Sequence, residues 1–192
     1  ATASGKLPDY GEWKAMLRKD HPRIFFNGDQ WPAIAAAAQG PARDDFRRLI
    51  ARCDKYPDAP VCEGTGMPPN PKGRNVSWDE TPIPSVKDWG DQAAECALAW
   101  RFTGDRRYLE KAKAMLRANI RGYNEAFESR RAINWYSHSR INSLCAYDWI
   151  YEALTDEERR GIIGPLLRSI AHFTDPEGRP RIRRLDAHAY SI

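Results

Sequence analysis

Apolar and polar positions recur at helical spacing through most of the 192 residues, broken by short turns and by one long interruption. A short helical stretch is expected from Gly11 to Lys19, followed by an extended His21-Pro22-Arg23-Ile24-Phe25-Phe26. His21 marks the helix end, because the residue before a proline is pushed out of the helical region. Asn27 and Asp29 suit the cap of the next helix and Pro32 its first turn, which predicts an Ala-rich helix from Gln30 to Gln39. Gly40-Pro41 breaks it. Ala42 to Lys55 then sets Phe46, Leu49, Ile50 and Cys53 on one helical face. From Pro57 to Pro84 the periodicity stops: seven of the fourteen prolines fall there, with Gly64, Gly66 and Gly73. This predicts a long loop, and loops of that length in compact domains are often functional. Its Trp78 is placed near a binding surface.

Two helical hairpins follow. Asp88 to Phe102 is apolar nearly all round, as an inner helix would be, and Thr103-Gly104-Asp105 turns the chain. Tyr108, Leu109, Ala112, Met115 and Leu116 then form a stripe on an otherwise charged outer helix. The second hairpin is expected from about Ile133 to Leu154, with a turn at Thr155 and an outer helix running to Phe173. Thr155-Asp156-Glu157-Glu158 has the form of a capping box. Cys96-Ala97-Leu98-Ala99-Trp100-Arg101-Phe102 and Cys145-Ala146-Tyr147-Asp148-Trp149-Ile150-Tyr151 resemble each other at a separation of 49 residues. A hairpin recurring at that period is the signature of stacked or circular αα arrays, in which each unit buries its apolar face on its neighbours. On this reading Trp100 and Trp149 occupy equivalent, largely buried positions. The chain holds only part of such an array, and its last residues, Leu185 to Ile192, read as those of a cut piece.

Composition narrows the picture. With 42% apolar and 29% charged residues the chain can bury a core, and no apolar run reaches the length of a membrane-spanning helix. The net charge of +4 and the lack of a recognised module argue against nucleic acid as partner. The four cysteines have no metal-ligand spacing. Cys96 and Cys145 fall on apolar helical faces as buried thiols, whereas a local Cys53–Cys62 disulfide stays open, and the redox compartment with it.

His21-Pro22-Arg23-Ile24-Phe25-Phe26 leading into Asp29 resembles the opening of the heparinase II/III-like polysaccharide lyases. Ala97 to Tyr108, with its Thr-Gly-Asp-x-x-Tyr turn, resembles their first hairpin. Ala146-Tyr147-Asp148-Trp149-Ile150-Tyr151, followed by Leu154-Thr155-Asp156-Glu157-Glu158-Arg159, resembles the next. The likeness covers most of residues 20–173. It implies an all-α fold, the N-terminal part of an incomplete (α/α) toroid: first helices over 20–55, a Pro-rich loop over 56–87 and two hairpins over 88–173. The remaining helices and the β-sandwich domains would lie outside these 192 residues. It further implies β-elimination at uronic acid residues of an acidic polysaccharide, in a periplasmic or secreted protein whose signal has been removed. No cofactor is implied for this part of the chain; a metal would belong to the β-sandwich part.

Such a lyase removes the proton α to a uronate carboxylate and expels the glycosidic oxygen on the next carbon. It needs a neutraliser for the carboxylate, a base and an acid. One cluster of fitting residue types is Asn134-Trp135-Tyr136-Ser137-His138-Ser139-Arg140-Ile141-Asn142. Between Ser129 and Tyr147 lie three arginines, one histidine, two tyrosines and no acid. Asn134, His138 and Asn142 recur every four residues, as do Tyr136 and Arg140, which gives two polar stripes up one helix. The other cluster is Asp186-Ala187-His188-Ala189-Tyr190. His188 matches a cleft histidine of the heparinase II branch, although Ser191 stands where that pattern has a glutamate. The candidate catalytic residues are therefore His188, Tyr190, Asn134 and His138. Tyr136, Arg140, Trp135, Trp78 and Arg183 are the candidates for holding the polymer, Arg183 as part of an alternating run from Arg179. Competing readings are a toroid glycoside hydrolase, which needs two carboxylates across a cleft, and a non-catalytic carbohydrate-binding array. Asp88, Asp91, Asp148 and Asp186 are the acids in plausible cleft positions.

Overall fold

The computed structural model describes Gly11 and residues 15–60, 86–128 and 138–171. Among these residues the protein is all-α, with no strand. A single 3₁₀ turn, Gly28–Gln30, leads into α1 (Trp31–Gln39) and α2 (Arg43–Lys55). Then come α3 (Val86–Thr103), α4 (Arg106–Glu128), α5 (His138–Ile150), a second 3₁₀ turn (Tyr151–Ala153) and α6 (Asp156–Ala171). None of these helices is long and apolar enough to cross a membrane.

Local chemistry accounts for the ends. The expected cap at Asn27 forms one turn early: its N–H donates to the Gln30 side chain at 2.8 Å, so the α-helix proper starts at Trp31, with Pro32 in its first turn. Acidic Asp44 and Asp45 open α2 and basic Arg52 and Lys55 close it, each matched to the helix dipole. The α2 carbonyl ends are also met from outside, as buried Lys111 donates to the backbone oxygens of Cys53 and Tyr56 at 3.0 and 2.7 Å. Between α3 and α4 the chain reverses at Gly104, whose φ of 70° suits a residue without a side chain. Asp105 caps α4 by accepting from the Arg107 N–H at 2.9 Å. The capping box at Thr155 is complete: the Glu158 N–H donates to the Thr155 hydroxyl at 3.1 Å and the Thr155 N–H donates to the Glu158 carboxylate at 2.9 Å.

The core lies among α3, α4 and α5. Ala93, Ala97 and Ala99 of α3 are fully buried, and so are Met115 and Leu116 of α4 and Cys145 and Ala146 of α5. The α4 stripe read from the sequence is the buried face. Gly90 of α3 donates its N–H to the Ser139 hydroxyl of α5 at 2.9 Å, across a separation of 49 residues. Near the other end Arg101 of α3 donates to the Trp149 carbonyl of α5 at 2.8 Å. The two apolar helices therefore run parallel and in direct contact, and their contacts follow the internal repeat. Burial follows it too, from Cys96 to Ala99 and from Cys145 to Asp148. The tryptophans depart from equivalence: Trp149 is buried, while Trp100 is only half-buried at the edge of the core.

At Gly90 the helices are in near-backbone contact, and an added Cβ would overlap the Ser139 carbonyl. Gly161 and Gly164 of α6 face open space. Opposite outcomes are expected for one substitution. Gly90→Ala should lose about 1–3 kcal/mol or more through overpacking, whereas Gly161→Ala should gain roughly 0.5–1 kcal/mol of helix propensity. Denaturant midpoints of the two variants check the pair.

Glu158 also gathers Lys113 and Arg117 of α4 at 3.0 Å each, tying α6 to α4. Its donors, the Thr155 N–H foremost, lower its pKa from 4.5 to about 2. A carboxylate depressed in the folded state contributes stability that is present above its unfolded value and lost as pH falls through its folded value. Stability should therefore decline from about pH 4.5 toward pH 2, and Glu158→Gln should flatten that part of the profile in acid titrations of the unfolding midpoint.

Candidate functional site at the shared start of two parallel helices

Because α3 and α5 are parallel, the chain enters both at the same end of the pair, at Val86 and at His138. Two helix N-termini thus lie side by side, and the partial positive charge of a helix N-terminus favours an anion. The fixed framework beneath them is polar and buried. Asn119 of α4 donates to the Ser143 hydroxyl at 2.7 Å and to the Ser139 carbonyl at 3.3 Å. The Ser139 hydroxyl donates back to the Asn119 side-chain oxygen at 3.0 Å while accepting from Gly90, and Ser143 donates to the Ser139 carbonyl at 2.9 Å. Asn119, Ser139 and Ser143 are almost completely buried, and these bonds satisfy a network that would be costly if left half-made. Asn119 occupies a stripe position where the pattern calls for an apolar residue. That interruption was the available sign, and it passed unread.

His138 is the first residue of α5, and Arg140 lies on the same turn. Both therefore sit at the opening of the helix pair. Asn142, the third member of one polar stripe, is half-buried and donates its side-chain N–H to the Asp91 carboxylate of α3, so it joins the two helices. Asn134, Trp135, Tyr136, Trp78, His188, Tyr190 and Arg183 lie outside the described residues, as do the Arg179–Arg184 run and Asp186.

The opposite end of the pair is closed. Asp148, one turn from the end of α5, is 3% exposed and accepts three bonds: from His21 Nδ1 at 2.5 Å and from the backbone N–H groups of Arg23 and Ile24 at 2.8 and 2.9 Å. Trp149 Nε1 donates to the Ile24 carbonyl at 3.1 Å. The His21 ring stacks on Tyr151 at 3.7 Å, and the Arg159 guanidinium lies 4.3 Å from the centre of the same ring. Phe26, Trp31, Trp149, Phe102 and Phe46 continue outward as a chain of ring contacts between 4.8 and 5.5 Å. Arg101 adds its guanidinium 5.2 Å from the Trp31 ring centre; burial lowers its pKa, partly offset by Glu152 and Asp148.

His21 is thus more than the residue before a proline. With the cis His21–Pro22 peptide it forms one half of a clamp whose other half is Asp148-Trp149. Its separation of 127 residues from Asp148 left no local signal for this contact. Asp148, an acid in a plausible cleft position by sequence, has its oxygens occupied by backbone and imidazole donors. The clamp also explains Phe25, which stands at φ 66° and is 80% exposed. The bond at Ile24 and the ring contacts of half-buried Phe26 fix both neighbours, and the strain of roughly 1–3 kcal/mol falls on the residue between them.

No protein-family model matches the chain, and no curated protein matches it. Residues 21–26 and 146–151 meet in the clamp.

Asp148→Ala removes the acceptor of one imidazole and two backbone N–H groups at once. A loss of about 3–5 kcal/mol is expected, as for other buried charged groups stripped of a partner. Asp148→Asn should recover little of it, since its amide turns one acceptor into a donor facing donors. Hydrogen exchange at the Arg23 and Ile24 amides reports the loss directly, because those amides should exchange with solvent before the α3–α5 core does.

Proposed function

We propose that this chain is the N-terminal part of an (α/α) toroid belonging to a polysaccharide lyase that cleaves an acidic, uronate-containing polymer by β-elimination. The observation that carries the reading is the parallel α3–α5 pair in 49-residue register, with both helix starts at one end and His138 and Arg140 on the first turn of α5. An array of such hairpins collects helix starts around a cleft, and helix starts favour the carboxylates of a uronate chain. The sequence resemblance supplies the chemistry. His188 or His138 takes the proton α to the carboxylate, Asn134 neutralises that carboxylate, and Tyr190 protonates the leaving oxygen. Tyr136, Arg140, Trp135, Trp78 and Arg183 hold the polymer. A periplasmic or secreted protein fits a polymeric substrate of this kind.

The occupancy of the acids supports elimination over hydrolysis. A glycosidase needs two carboxylates across its cleft. Asp148 is bound in the clamp at the far end of the helices, and Asp91 is held by Asn142.

The protein that carries this chain should be incubated with uronate polymers, sulfated and unsulfated, while the ultraviolet absorbance of a conjugated unsaturated uronate is followed. Growth of that band, with new reducing ends in equal number, is expected; reducing ends without the band identify a hydrolase, and binding without either identifies a non-catalytic array. His188→Ala should cut turnover by ~10²–10⁴-fold with a much smaller change in polymer affinity. Arg140→Ala should instead weaken binding, and the deficit should shrink as salt is raised.

A further inference from the structure

A groove of about 560 Å³ runs between α4 and α6. Its volume lies within the roughly 300–1,000 Å³ of ordinary small-molecule sites. Contacts at two levels set the helices beside each other. Arg117 of α4 meets Glu158 of α6 at 3.0 Å, and seven residues further along each helix Asn124 donates to the Pro165 carbonyl at 3.1 Å. Between these levels α6 carries Gly161, where an added Cβ would meet nothing within 4 Å. Pro165 has no N–H, so the Gly161 carbonyl one turn before it lacks its helical donor. Ile120, Ile162 and Pro165 add an apolar lining.

Charge is graded along the groove. At its start Glu158 is taken up by Lys113, Arg117 and the Thr155 N–H, and the exposed Glu157 stands next to it in α6. Further along, Arg121 of α4 and Arg168 of α6 line the space. Arg121 faces Glu125 at 3.8 Å with both side chains exposed, a class of ion pair worth under about 1 kcal/mol that an incoming carboxylate can replace. Arg168 is exposed and has no carboxylate partner among the described residues. We propose that the α4–α6 groove is a second binding site for a short stretch of uronate-containing polysaccharide, distinct from the opening at the starts of α3 and α5. The apolar faces of the sugar rings lie on Ile120, Ile162 and Pro165. Their carboxylates pair with Arg121 and Arg168, whose planar guanidinium groups match a carboxylate bidentately. Sugar hydroxyls donate to the Gly161 carbonyl and to Glu157. The site rests on the lyase reading for the kind of acid it takes, and it holds the polymer without acting on it.

Arginine footprinting tests the site in the protein that carries this chain. Modification of Arg121 and Arg168 by phenylglyoxal, read by peptide mass, is compared with and without trisaccharides of galacturonate or mannuronate and a hyaluronan tetrasaccharide. At least one of these should protect both arginines, and maltotriose should protect neither. Gly161→Trp fills the groove from a position that faces open space, and protection should disappear in it. Arg168→Ala, at an exposed position, should raise the saccharide concentration needed to protect Arg121 by roughly tenfold or more, the worth of a hydrogen bond to a charged group. Equal modification with and without every acidic saccharide would overturn the assignment. So would protection that survives Gly161→Trp, or equal protection by maltotriose, acetate or sulfate. Footprint and turnover separate the two claims: unsaturated product without protection removes the groove site alone, whereas protection without product leaves the groove site standing and removes the lyase.

Discussion

The approach of α3 to α5 at Gly90 and Ser139 is the constraint on which the other features rest. Two helices meet there almost backbone to backbone, which only a residue without a side chain permits on one of them. Small residues farther along α3, Ala93, Ala94 and Ala97, let the approach continue toward its middle. So close a crossing strands polar groups between the helices, and each must find a partner, since a buried unpaired donor costs about 1–3 kcal/mol. Ser139 answers Gly90, and Asn119 from α4 answers Ser139 and Ser143. The network is thus a consequence of the distance between the helices.

The two ends of the helix pair do different work. At the C-terminal ends, aromatic rings and an occupied carboxylate bind the chain at residues 21–26 to α5, and Arg101 meets a carbonyl of its last turn. Cations suit that end because the helix dipole is negative there. At the N-terminal ends the polarity is reversed, and the first turn of α5 holds His138, Ser139 and Arg140. A single device, parallel helices in repeat register, thereby gives the pair two ends of opposite dipole sign.

The sequence made the helices legible and left their long-range partners hidden. Periodicity placed α2 within a residue of its observed start, the α4 stripe turned out to be the buried face, and Thr155 to Glu158 formed the capping box its spacing suggests. Each of these depends on neighbours within about one or two helical turns. The clamp does not. His21 and Asp148 are 127 residues apart, and no local pattern marks an aspartate that will accept two backbone N–H groups from the other end of the chain. The repeat was informative for the opposite reason: similarity at 49 residues is a long-range statement written locally, and it anticipated the Gly90–Ser139 register. It misjudged Trp100, because Trp149 is covered by Phe26 and bonded to Ile24, and the half-buried Trp100 has a different setting. Of the candidate site, only the places of His138, Arg140 and Asn142 along α5 fall within the described residues.

This distinction bears on how motif residues are read. Asp148 and His21 form a buried carboxylate–imidazole pair of the kind that suggests general acid–base catalysis. Its surroundings favour a structural role: Asp148 is 3% exposed, two of its partners are backbone amides, and the imidazole is stacked on Tyr151. A hydrogen bond to a charged acceptor contributes about 1.5–3 kcal/mol, and three on one carboxylate are enough to hold an otherwise irregular segment against the core. The cost of that arrangement falls on Phe25, which carries the strained backbone. The same carboxylate, had it faced a cleft with free oxygens, would have favoured a hydrolase. In the clamp its oxygens are taken instead by the His21 ring and by the backbone N–H groups of Arg23 and Ile24.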